Sequence, residues 1–154
     1  LAQQKRGFTL LELIITVVII SILAAVAIPM VETSIKRERE IQLRRSLRTI
    51  RIALDEYKKF VEENKIKLDQ ETYNYPEKLE DLVEGITYED KQKNEKIKKF
   101  LRRIPKDPMT NSHDWGMRSY QDDHDSETWG GENVYDVYTK SERKALDGSY
   151  YKDW

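Results

Sequence analysis

The stretch GFTLLELIITVVIISILAAVAIP, residues 7–29, decides how the rest of the chain is read. From Phe8 to Ile28 it carries one charge, Glu12. Its 21 residues at helical rise extend about 31 Å, enough to cross a hydrocarbon core of about 30 Å. A membrane-spanning helix over 8–29 is therefore predicted. A secretory signal is the competing reading, but its apolar centre is usually shorter and ends at a small-residue cleavage site. Here Ala24, Ala25 and Ala27 continue the helical pattern into Pro29.

A carboxylate inside an apolar helix needs a partner or a shallow position, since burying it deep costs roughly 2.5–3.5 kcal/mol even on the permissive insertion scale. Upstream of Glu12 stands Lys5-Arg6-Gly7. Glycine lacks side-chain bulk and lets another protein approach the backbone. A cut after Gly7 would leave a new ammonium on Phe8, four residues before Glu12. The local alternative for Glu12 is a carboxylate reaching out to water.

Gly7-Phe8-Thr9-Leu10-Leu11-Glu12, followed by the apolar helix and Pro29, resembles the class III signal of type IV pilins and type II secretion pseudopilins. The resemblance implies a leader at 1–7, removed by a prepilin peptidase after Gly7, with N-methylation of Phe8. It also implies that Glu12 pairs with the N-terminal amine of a neighbouring subunit, and that Pro29 kinks or locally melts the helix in a filament. Seven basic residues between Lys36 and Arg51 follow the apolar run, against Lys5 and Arg6 before it. By the positive-inside rule alone that places the C-terminal part in the cytoplasm. The resemblance implies the opposite: an inner-membrane, single-pass anchor at 8–29 with residues 30–154 as a periplasmic domain.

Beyond Pro29, Leu43, Leu47, Ile50, Leu54, Tyr57 and Val61 recur at spacings of four and three, predicting that the helix continues with a buried stripe. Tyr75-Pro76-Glu77-Lys78-Leu79 reads as the start of a second helix ending by Gly85. Ile97, Phe100, Leu101 and Ile104 read as one face of a third, stopped by Pro105-Lys106-Asp107-Pro108. Short strands are predicted at 117–121 and 133–139, the latter alternating as Val134-Tyr135-Asp136-Val137-Tyr138. The expected fold class is α+β: a long N-terminal helix packed on a small C-terminal antiparallel sheet, which is also the pilin-like architecture the resemblance implies.

Within that family, Ile104-Pro105-Lys106-Asp107-Pro108 and the stretch from Val134 to Gly148 look like the major, G-type pseudopilin. The absence of cysteine fits that subgroup better than type IVa pilins, which commonly close the C-terminal loop with a disulfide. G-type relatives often bind calcium in this loop, so Ser141, Asp147 and Asp153 are candidate ligands, although Lys140, Arg143 and Lys144 interrupt the loop. His113 and Asp122-Asp123-His124-Asp125 lie among turn formers and read as a solvated acidic loop.

Basic and acidic residues nearly balance at 27 and 28, which argues against general nucleic-acid binding. No Gly-rich phosphate cradle or nucleophile–base pair is present, so the chain reads as a structural subunit and not an enzyme. The resemblance implies a type II secretion pseudopilus that polymerises to drive protein export. Its partners would be the prepilin peptidase, an inner-membrane assembly platform with its ATPase, minor pseudopilins and further copies of itself. The alternative is the major subunit of a type IV pilus serving adhesion, motility, DNA uptake or electron transfer.

Overall fold

The computed structural model describes residues 7–90 and 92–154; residues 1–6 of the expected leader lie outside the described residues. Contacts divide the chain into two units, Leu1–Glu38 and Arg39–Trp154. Helix α1, Leu10–Glu63, runs through the division.

In the first unit α1 begins on a capping residue. Thr9 Oγ1 accepts the Glu12 amide at 3.2 Å and the Thr9 carbonyl takes the Leu13 amide at 3.1 Å. This satisfies donors that a helix start otherwise leaves open. Further along, the hydroxyls of Thr16, Ser21, Thr33 and Ser34 donate back to the carbonyls of Leu13, Val17, Pro29 and Met30 at 2.8–3.0 Å. The apolar run thus carries its few hydroxyls without leaving them unpaired. Its large apolar side chains stay exposed, from Phe8 and Leu10 through Ile35.

In the second unit the remainder of α1 supplies half of a core. Leu43, Leu47, Ile50, Leu54, Tyr57 and Val61 are all buried, as the spacing predicts, with Ala53 beside them. Each fully buried Leu or Ile contributes about 1.5–3 kcal/mol. They pack with Tyr75, Leu79, Leu82, Trp115, Val137 and Tyr151. The Trp115 indole donates to the Pro105 carbonyl at 2.9 Å, so its one polar group is also satisfied.

After α1, the predicted second helix exists only as α2, Asp81–Glu84. Leu79 and Leu82 are buried, Val83 is half-buried, and Tyr75 is buried as well, but Tyr75 and Leu79 lie in an irregular approach to α2. Gly85 ends α2 at φ +90, and a side chain there would meet the Lys98 carbonyl at 2.5 Å. The predicted third helix is absent from the described residues. In its place β1 (Ile86–Glu89) pairs antiparallel with β2 (Glu95–Lys98), Ile86 opposite Lys98. Ile97 is 62% exposed, whereas Phe100, Leu101 and Ile104 pack from irregular chain against the core. Four apolar residues spaced three, one and three apart were too few to fix a helical period. The hairpin instead carries Phe100 to the helix, its ring 5.0 Å from Tyr57 and 5.8 Å from Phe60.

The two predicted C-terminal strands are present in shorter form as β3 (Gly116–Arg118) and β4 (Asp136–Tyr138), antiparallel, with Gly116 opposite Tyr138. Gly116 is required by close approach, because a Cβ there would lie 2.3 Å from the Tyr138 ring. The sheet is therefore two separate two-stranded ladders, and the fold is α+β and pilin-like, as the sequence predicts.

Three core tyrosines give this unit a defined alkaline limit. Burial pushes the hydroxyls of Tyr57, Tyr75 and Tyr151 up to about 12, with further help from Asp81 at Tyr57, Tyr135 at Tyr75, and the Glu40 hydrogen bond at Tyr151. Below pH 10 these groups are protonated in both folded and unfolded chains. Between 10 and 12 the unfolded chain releases protons that the folded chain retains, so stability falls as pH rises through that window. Urea midpoints are expected to be insensitive to these groups near neutrality and to drop progressively above pH 10. Tyrosinate absorbance should show three hydroxyls titrating only near unfolding. Early titration of all nine tyrosines with unchanged stability would contradict their burial.

Candidate processing and assembly site

The residues nominated by the signal lie together at the start of α1. Gly7 and Phe8 precede the helix outside any regular element, and both are exposed, Phe8 at 75%. A side chain at Gly7 would meet nothing within 4 Å, so nothing in the fold demands glycine there. Thr9 was not singled out in the sequence, yet Thr9-Leu10-Leu11-Glu12 is the T-x-x-E pattern of a capping box. The structure uses its first half, the Thr9 hydroxyl on the Glu12 amide. That bond engages the Glu12 backbone and not its carboxylate.

Pro29 lies inside α1 without interrupting it. Lacking an N–H, it leaves the Ala25 carbonyl without its usual intrahelical donor, a weak point in an otherwise continuous ladder.

At the C-terminal loop, two of the three nominated calcium ligands, Ser141 and Asp147, are engaged by other groups. Ser141 Oγ accepts from Arg143 Nε at 3.4 Å and from the Arg143 amide at 3.5 Å. Asp147 Oδ1 takes the Ser149 amide at 2.9 Å and hydroxyl at 2.6 Å, while Oδ2 lies 4.0 Å from Arg44. These contacts, the Ser149 ones foremost, hold the Asp147 carboxyl below the usual range. Asp153 sits apart in the 3-10 turn Tyr151–Asp153. Calcium takes six to eight oxygens; a set with guanidinium groups against two of its three members does not fit it. Among the described residues, no three His, Asp or Glu side chains come together around a possible ion.

The loop is held instead by side chains that the sequence reading missed. Glu40 on α1 accepts the Leu146 amide at 2.8 Å and the Tyr151 hydroxyl at 2.9 Å. Arg51 makes a forked pair with Asp136 at 2.7 and 3.2 Å and reaches the Val137 and Trp154 backbone oxygens at 3.3 and 2.8 Å. Forked guanidinium–carboxylate pairs are among the stronger polar contacts. The Arg143 guanidinium also donates to the Met109 carbonyl. Nothing in local spacing marks Glu40 or Arg51, because their partners lie 85 to 111 residues away.

A stable helix carrying an apolar surface, a capped N-terminus just after a Gly-Phe junction, and a small α+β unit together define a pilin-like subunit. Residues 3–28 match the family model described as the prokaryotic N-terminal methylation motif. The chain is 32% identical over 114 residues to type II secretion system core protein G of Pseudomonas aeruginosa, covering 73% of this chain and 74% of that one. It is 31% identical to the protein of the same name from Klebsiella pneumoniae (69% and 70% covered) and 30% identical to that of Escherichia coli K12 (72% and 71%). No solved structure matches the chain. The chain belongs to the type II secretion system core protein G family.

Proposed function

We propose that the chain is made as a membrane-anchored precursor with leader 1–7, cut after Gly7 by a prepilin peptidase, methylated on Phe8, and polymerised into a pseudopilus whose growth drives protein export. The observation that carries this reading is the surface of α1 up to Ile35, where large apolar side chains are exposed around the helix. A helix apolar all round requires lipid or other apolar helices about it. A precursor would use lipid and a filament would use identical helices, so one sequence serves both states.

In this reading residues 8–29 anchor the chain in the inner membrane and residues 30–154 form the periplasmic part. Glu12 receives the Phe8 ammonium of a neighbouring subunit, and Pro29 supplies the helix's adjustable point. The prepilin peptidase, the assembly platform and minor pseudopilins are the partners, and the role is structural. The Glu40, Arg51 and Arg143 contacts support a C-terminal loop that closes without calcium. Chelation should therefore leave the melting temperature unchanged. A calcium staple would add about 2.7 kcal/mol at a hundredfold excess over its Kd, on the order of 5–10 °C, on adding the ion; such a rise would restore the calcium expectation.

The processing reading is tested by intact-mass and N-terminal analysis from cells with and without a prepilin peptidase. A chain beginning at N-methylated Phe8 only in the presence of the peptidase is the expected result. An uncut chain in both would reduce residues 8–29 to an ordinary anchor.

A further inference from the structure

A groove of about 770 Å³ runs between α1, at Arg45, Ser46 and Thr49, and the irregular segment 100–106, with His113 also lining it. Phe100, Leu101, Ile104 and Pro105 give it apolar walls, and Arg45, Arg102, Arg103 and Lys106 supply charge of one sign; no carboxylate lines it. Among the described residues none of these four cations has an ion pair. Some surface cations are paired, as in Arg51–Asp136, Lys96–Asp90 and Lys140–Asp114, but these four gather in one groove with no carboxylate beside them. In a chain with 27 basic and 28 acidic residues, such a cluster leaves carboxylates unmatched somewhere else.

The 122–132 loop carries such carboxylates. Asp123, Asp125 and Glu132 are exposed, and among the described residues they too have no ion pair. The loop is braced from within. Asp122 accepts the Ser119 amide at 2.7 Å and the Gly130 amide at 3.1 Å, Ser126 Oγ donates to the Thr128 carbonyl at 2.7 Å, and the Trp129 indole donates to the Asn133 carbonyl at 2.8 Å. It thus presents its charges with little ordering left to do on binding.

We infer that the groove at Arg45, Arg102, Arg103 and Lys106 receives the acidic 122–132 loop of a second copy of this chain. The inference rests on the filament reading and names the surfaces that reading lacks. Two different patches that complement each other form a heterologous contact. When the two copies do not exchange both contacts reciprocally and the rotation between them closes no ring, each bound copy leaves one groove and one loop free, and the contact propagates as an open helical filament. Single exposed ion pairs contribute little, but several guanidinium groups beside apolar walls meet a preformed acidic loop under partial exclusion of water, where charge complementarity fixes partner and register.

The experiment uses the full chain in cells that assemble the filament. Reversing the groove with R102E and R103E, or the loop with D123K and D125K, is expected to reduce filament yield by at least about tenfold, and combining all four should restore it. Because the chain has no cysteine, R103C together with D125C should give an oxidation-dependent ladder of dimers, trimers and larger species, while either alone should stop at dimers. Melting temperatures of each variant separate lost assembly from lost folding, and the cysteine ladder covers any reversal that fails to fold. Normal filaments from either reversed chain, or a folded quadruple variant without restored assembly, overturns the proposal while leaving processing and polymerisation intact. Loss confined to the groove variant, with parallel loss of binding to phosphatidylglycerol vesicles, would assign the groove to an anionic membrane surface instead. A wild-type chain that is never cut and never assembles overturns the filament reading and this inference with it.

Discussion

Replacing Asp107 by alanine is expected to lower the stability of the Arg39–Trp154 unit by about 3–5 kcal/mol, a large share of the roughly 5–15 kcal/mol a domain of this kind possesses. The Asp107 side chain is fully buried. Its carboxylate accepts the Met109 amide at 2.8 Å, the Thr110 hydroxyl at 2.9 Å and the Thr139 hydroxyl at 2.5 Å. Alanine would leave these donors without an acceptor, and orphaned buried groups cost about 1–3 kcal/mol each. The damage extends further, because Thr139 Oγ1 itself receives the Ser141 amide at 3.2 Å. Asp107 thus ties the turn after Pro105 to the strand end that leads into the C-terminal loop. Asparagine keeps one acceptor and should cost less. Urea denaturation in detergent should show a lower midpoint for alanine than for asparagine, with an unchanged slope. A midpoint within error of wild type for alanine would mean that the three hydrogen bonds are not jointly stabilising.

Asp107 also shows where sequence reading stops. Its neighbours Pro105 and Pro108 announce a break in the chain, and the break is real. The carboxylate's role is invisible, however, because Thr139 is 32 residues away. The same holds for Arg51, which is one of seven cations from Lys36 to Arg51, and only the fold selects it from them as the one that grips Asp136. Asn133 is equally silent in the sequence. It is fully buried and joins Gln121, the Glu71 carbonyl and the Tyr120 amide.

What was legible was periodic or punctuated. The apolar run and the four-three stripe from Leu43 to Val61 follow patterns that helix geometry imposes; the alternation expected at 134–138 is not kept, since Val137 and Tyr138 are both buried. Strand β2 was not legible because it faces solvent on both sides, whereas β1 does alternate, Ile86 and Tyr88 half-buried and Thr87 and Glu89 exposed. Ile97, Lys96 and Glu95 are all exposed, so no in-out alternation was written into them. The start of α1 was legible at two levels. The motif around Gly7 points to processing, and Thr9-x-x-Glu12 states the cap.

That double legibility sets up the second large effect. Glu12→Gln should be cut after Gly7 like the wild type yet fail to build filaments, and Glu12→Leu should behave the same way. Two roles compete for this residue. If Glu12 serves only to complete the helix cap, glutamine should substitute well, since Glu and Gln both serve at that position of a capping box. Leucine would then sacrifice only a modest amount of helix stability. If instead the carboxylate neutralises the Phe8 ammonium of a neighbour, glutamine is no better than leucine, because either leaves a cation uncompensated among apolar helices. On the permissive insertion scale a buried charge costs about 2.5–3.5 kcal/mol, roughly a hundredfold per added subunit. That penalty falls on every step of growth, so it should abolish long filaments and not merely shorten them. Cleavage is spared because it needs the Gly7–Phe8 backbone, while the Thr9 hydroxyl still caps the amide of residue 12 whatever its side chain. The readouts are N-terminal mass for processing and electron microscopy of sheared filaments for assembly. Normal filaments from the glutamine variant would return Glu12 to the local role of finishing a helix start.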